Sequence, residues 1–151
     1  MNEHINENDL KIEKKKKQLR RYRKNRECLN RLYEKLDFIK IKMINPQAFK
    51  VSGMPKGGTP VTMGDLLIEK EELENRIVEL KAKGSIIRKE ILKEIDTLDD
   101  YRYCEILEGY FIDGKSLEDI AYAEGYTLRH VYRLYKMGVE LLTLNGHKDD
   151  I

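Results

Sequence analysis

Two apolar seams of similar length, separated by a segment that no helix can cross, limit how this chain folds. Tyr22, Leu29, Leu36 and Met43 recur every seven residues, with Leu32 and Ile39 between them. Leu66, Leu73, Leu80 and Ile87 do the same, with Ile77, Ile91 and Leu98 between them. Alternating steps of three and four keep side chains on one narrow face of a helix. Between the seams, NPQAFKVSGMPKGGTPVTM (45–63) holds all three prolines of the chain and three glycines. Proline lacks the amide hydrogen and clashes with the preceding turn, so helix stops there. Two seams joined by a breaker predict a long antiparallel, coiled-coil-like helical hairpin over 10–98, with its Pro/Gly-rich tip at 45–64. Its helices run from Leu10 to Ile44 and from Gly64 or Asp65 to Leu98. Met43 then meets Leu66, Leu36 meets Leu73 and Leu29 meets Leu80. Gly84 lies on the second seam and is expected to weaken it locally.

Composition agrees with an all-α fold. Charged residues make up 37% of the 151, too polar a mixture for one large core, and there is no tryptophan. Leu, Glu, Lys, Arg and Ile favour long helices washed by solvent. A two-helix hairpin has little interior, so a homodimer through the hairpin is expected to bury more apolar surface. Cys28 and Cys104 are far apart and form neither a disulfide framework nor a zinc motif. His4, His130 and His147 lack a companion cluster, so neither metal nor cofactor is expected. No serine has a matching His and Asp framework, and the carboxylates read as helix surface, which argues against an enzyme. No apolar run is long enough to span a bilayer and no signal-peptide core is present, so a cytoplasmic location is expected. Residues 1–9 and the tail 145–151 are polar and expected to be loose.

The C-terminal stretch SLEDIAYAEGYTLRHVYRLYKMGVELL (116–142) carries the functional signal. Ser116 and Thr127 are good N-caps, each opening a helix. Gly125 between them accepts the positive φ of a sharp turn. Ala121 is small enough for the second helix to cross closely over the first. Val131, Leu134, Tyr135, Gly138 and Leu142 share the inner face of that second helix. Arg129, His130, Tyr132, Arg133 and Lys136 are left outside. An exposed helix face of Arg, Lys and polar aromatics suits the major groove of double-stranded DNA. The alternative is an ordinary helical hairpin in a small core. A preceding helix, 101–111, supplies Tyr103, Ile106, Leu107, Tyr110 and Phe111 to cover the unit. The helix-turn-helix domain is placed at 99–144.

From Leu98 to Leu142 the chain resembles region four of bacterial sigma factors. The elements are ILEGYF, the G-x-S-x-x-x-I-A entry GKSLEDIA, the turn GYT and the recognition helix LRHVYRLYKMGVELL. With its basic N-terminal helix and its SGMPKGG segment, the whole chain resembles a family of Gram-positive phage proteins. That family is described as transcriptional regulators, near the RinA and ArpU late-gene regulators. The resemblance implies a DNA-binding regulator acting in the bacterial host cell. In this role Arg129, Tyr132, Arg133 and Lys136 read bases, with His130 beside them and Thr127 near a phosphate. RNA polymerase is a further partner under the sigma-like route, although no core-polymerase-binding region of a complete sigma factor is present.

Net charge is only +2, but its distribution is uneven. Lys14, Lys15, Lys16, Lys17, Arg20, Arg21, Arg23 and Lys24 form a basic run placed to meet phosphates, or else a solvated helix face. The start of the second long helix is acidic, with Asp65, Glu69, Glu71, Glu72 and Glu74 expected beside Lys35, Lys40 and Lys42. SGMPKGG reads as a hairpin tip or as a backbone nest for an anion beside Lys56; its spacing is not that of a phosphate-binding Walker loop. Two other functions fit the same elements: a DNA-packaging component of small-terminase type, and a coiled-coil adaptor that binds protein.

Overall fold

A computed structural model of the chain describes residues 6–45 and 61–142, and among these every regular element is a helix. They are α1 Glu7–Leu19, α2 Arg21–Ile44, α3 Met63–Ile95, α4 Tyr101–Phe111, α5 Leu117–Glu124 and α6 Leu128–Leu141. Residues 46–60 of the expected tip, with the SGMPKGG segment, the first five residues and the tail 145–151, lie outside the described residues, whereas Met63 and Gly64, expected in the tip, already belong to α3.

Local chemistry sets the helix ends. Asn6 caps α1 by accepting from the Asn8 amide, and Glu7 and Asp9 sit at its positive end, so helix starts at Glu7 rather than Leu10. The expected single helix to Ile44 is interrupted at Arg20. There the Arg21 Nε donates to the Gln18 carbonyl at 2.9 Å, occupying an acceptor of the helical ladder. Thr62 and Asp65 cap α3 reciprocally: the Asp65 amide donates to Thr62 Oγ1 at 3.2 Å, and the Thr62 amide donates to Asp65 Oδ2 at 3.1 Å. Those bonds hold the Asp65 carboxyl below its ordinary range. α3 ends at Ile95, before Leu98, because tight turns take over: the Thr97 amide donates to Glu94 O and the Leu98 amide to Ile95 O. Asp100 then caps α4.

The chain divides into two compact units: Asn25–Gly84, and Met1–Lys24 together with Ser85–Ile151. In Asn25–Gly84, Leu32, Leu36 and Ile77 form a small core against which Leu29, Tyr33, Leu73 and Leu80 pack. Contacts between α2 and α3 run in opposite chain directions. Asn25 Nδ2 donates to Leu80 O, the Lys81 ammonium lies over the Tyr33 ring, and Lys35 to Lys42 share a groove with Glu69 to Arg76. Among the described residues of this unit, large apolar side chains left exposed, from Phe38, Ile41 and Ile44 to Leu67, Ile68 and Val78, outnumber the buried Leu32, Leu36, Ile39, Leu66 and Ile77.

The second unit has the larger core. Ile12 and Leu19 of α1 and Ile91 and Ile95 of α3 are buried in one cluster with Tyr103, Ile106, Leu107, Phe111, Val131 and Val139. The division therefore falls at Asn25 and Gly84, not at Leu98: the basic run and the last third of α3 belong with the C-terminal helices, whose apolar faces they cover. Gly138 is a point of close approach of α6 to α4. A Cβ there would stand 3.1 Å from Leu107 Cδ1 and 3.3 Å from Tyr103 Cβ.

Candidate nucleic-acid interface

The candidate surface is the outer face of α6, and the turn before it sets its position. Ser116 Oγ accepts from the Asp119 amide at 3.1 Å and starts α5. Gly125 ends α5 at φ +70, with its amide donating to Ala121 O and Tyr122 O; the Tyr126 amide also donates to Ala121 O. This left-handed cap ends the helix within one residue. Thr127 Oγ1 then accepts from the His130 amide at 3.2 Å, and α6 begins. Its buried residues are Val131, Leu134, Tyr135, Gly138 and Val139. The three aromatic rings of Tyr110, Phe111 and Tyr135 pack together, with centroids 4.8 to 5.8 Å apart.

Arg129, Tyr132, Arg133 and Lys136 are exposed together on the opposite face. Their spacing places three cations and one phenol along about two turns of one helix. His130 is half-buried, with its ring edge-on to Tyr126 at 5.0 Å, so it braces the turn more than it projects from it. Thr127 is exposed, and its hydroxyl oxygen already caps α6. Tyr122, 92% exposed on α5, is the most exposed large apolar side chain of the described residues. Sequence reasoning passed over it because a lone aromatic beside Ala121 carries no periodic signal.

The basic run separates into two groups. Lys15 Nζ donates to the Glu140 carbonyl at 2.8 Å, Lys16 lies over the Tyr135 ring and pairs with Glu13, and Arg21 pairs with Glu90 at 3.4 Å. Arg23 stacks on the Tyr110 ring with 4.4 Å between its guanidinium carbon and the centroid. Lys15 and Lys16 thus fasten α1 to α6, Arg23 fastens the start of α2 to α4, and Arg21 fastens it to the last third of α3. Arg20 is half-buried and lies close enough to Tyr135 to influence its phenol. Lys14, Lys17 and Lys24 are exposed and directed to solvent. A groove between α1 and α6 is lined by Asp9, Glu13, Lys16, Tyr132 and Lys136, so two carboxylates border the C-terminal half of the cationic face. Burial pushes the Tyr135 phenol up to about 12, with the nearby Tyr110 adding to the rise.

Among the described residues no group of three His, Cys, Asp or Glu side chains could hold a metal ion, and no helix is long and apolar enough to cross a membrane. Comparison with protein-family models, curated proteins and solved structures found no match.

Proposed function

We propose that this protein is a sequence-specific DNA-binding regulator of phage or prophage transcription. In this reading α5 and α6 act as a helix-turn-helix, with α6 entering the major groove, and α2 and α3 act as a coiled-coil-like helical hairpin. One observation carries it. α6 buries an unbroken apolar face while Arg129, Tyr132, Arg133 and Lys136 all project from the other, immediately after a glycine turn and a threonine cap. Arginine offers two parallel donors that match O6 and N7 of guanine, and lysine and tyrosine reach bases or phosphates. The exposed Lys14, Lys17 and Lys24 supply further phosphate contacts.

The test is selection of bound duplexes from a random pool with the purified chain. An enriched motif supports the reading. Arg133→Ala should then cost about 1–3 kcal/mol on the selected site and little on random duplex. No enrichment, with no binding to random duplex at low salt, overturns it. RNA polymerase is the second partner under the sigma-like route, and co-elution of polymerase with the promoter-bound protein tests that separately.

A further inference from the structure

We propose that Asn25–Gly84 is a self-association module, in which a second copy of this chain covers the groove between α2 and α3 lined by Phe38, Ile39 and Leu73. The groove has a volume of about 510 Å³. Phe38 at its edge is 45% exposed. A two-helix unit that exposes more large apolar side chains than it buries among its described residues gains a core by packing against a second layer. Packing two such pairs face to face gives a four-helix bundle.

Charge selects the occupant and its orientation. One lip of the groove carries Lys35 and Lys42 from α2, with the Lys42 ammonium 4.6 Å from the centre of the Phe38 ring, and the other carries Glu69, Glu72 and Arg76 from α3, so the first lip is basic and the second net acidic. No ion pair joins these lips among the described residues. A two-fold axis running along the helices lays α2 of one copy on α3 of the other. Because α2 and α3 are antiparallel, Lys35 then faces Glu72 of the second copy and Lys42 faces its Glu69, and both pairings occur twice. An axis across the helices would set lysine against lysine and glutamate against glutamate, which like-charge repulsion opposes. The part of α2 inside this unit, Asn25–Ile44, is about 30 Å long at 1.5 Å per residue. A face of that length and two helices wide is of the order that a stable homodimer needs, about 800 Å² buried on each partner.

The experiment measures mass by sedimentation equilibrium of the full chain over a concentration series without DNA, so its outcome is independent of the DNA-binding reading. The wild type is expected to dimerise. Phe38→Asp should weaken the dimer roughly tenfold or more while helical circular dichroism is kept, since the side chain is already half in solvent. Two charge-reversed chains provide the sharper arm: Lys35→Glu with Lys42→Glu, and Glu69→Lys with Glu72→Lys. Each alone should be monomeric where the wild type is dimeric, and an equimolar mixture should recover the dimer, because positions 35 and 72 and positions 42 and 69 then face each other with opposite signs. A monomeric wild type overturns the proposal. So does a dimer that Phe38→Asp leaves unchanged, or a pair of reversed chains that stays monomeric on mixing.

Discussion

Asn25 is the described polar residue most deeply enclosed, 8% exposed on the seam of α2. Its Nδ2 donates to Leu80 O at 3.0 Å, while its Oδ1 has no partner. Opposite it is Gly84 of α3, and a Cβ on Gly84 would collide with the Asn25 amide. The two residues are therefore coupled: glycine in mid-helix costs about 1 kcal/mol relative to alanine, and here its missing side chain makes room for the asparagine. Gly84→Ala should destabilise the chain in the wild-type background, because the Asn25 amide must leave its bond to Leu80. In an Asn25→Ala background the same change should stabilise it, as helix propensity alone predicts. A double-mutant cycle by urea denaturation should give a coupling of about 2 kcal/mol; additive effects would mean the two side chains do not compete for space. Tyr135 offers a second test at this scale. Its phenol titrates near 10 when unfolded and is pushed up to about 12 in the fold by burial, with Tyr110 and Glu13 raising it and Arg20 lowering it. Between those values the folded chain keeps a proton that the unfolded chain has lost. The contribution is thus whole below about pH 10 and disappears as pH rises toward about 12. Tyr135→Phe should therefore lose less stability than the wild type over that window, read as the shift in urea midpoint.

At the scale of elements, the turn between α5 and α6 depends on one backbone conformation. Gly125 at φ +70 has nothing within 4 Å of where a Cβ would be, so any cost of Gly125→Ala comes from the left-handed backbone and not from crowding. The expected loss is about 1–2 kcal/mol, measured by thermal or urea unfolding. A neutral result would show that the turn relaxes to a different cap. That turn was legible in the sequence because its signal is local: a cap, a small residue, a glycine and a second cap within twelve residues. The extents of α4, α5 and α6 were legible for the same reason, and so was the inner face of α6, although Val139 was not singled out. Other features depended on partners distant in sequence. Asn25 sits three residues after Tyr22 and four before Leu29, on the seam itself, but a polar side chain is invisible to an apolar pattern. The interruption at Arg20 depends on which carbonyl a long side chain reaches. The fate of the basic run depended on Glu140, Tyr110 and Tyr135, all far along the chain from Lys15 and Arg23, and no local pattern encodes that packing.

For the molecule as a whole, a net charge of +2 conceals separated fields. On the C-terminal helices, Glu105, Glu108, Asp113 and Glu124 line a groove with Lys115 as its one cation, a surface that repels phosphate. A duplex bound by α6 is therefore expected to avoid the α4–α5 groove, and its extra phosphate contacts should come from the exposed lysines of the basic run. The engaged cations, Lys15, Lys16, Arg21 and Arg23, are held by a carbonyl, carboxylates and rings, and their removal acts through packing. This separates two kinds of variant. Arg21→Gln with Arg23→Gln should lower the urea midpoint, because an ion pair and a stacked guanidinium are removed from the start of α2. Lys14→Gln, Lys17→Gln and Lys24→Gln together should leave stability within about 0.5 kcal/mol, as exposed substitutions generally do. The same triple variant should weaken binding to selected and random duplexes alike, and reduce the slope of log K against log salt by roughly one unit for each phosphate no longer neutralised. The measurement is a salt titration on both duplexes, with unfolding curves run beside it. An unchanged slope with unchanged stability would mean that these three lysines face water and that the duplex is held by α6 alone. A reduced slope confined to the selected duplex would mean that the basic run touches DNA only once α6 has found its site.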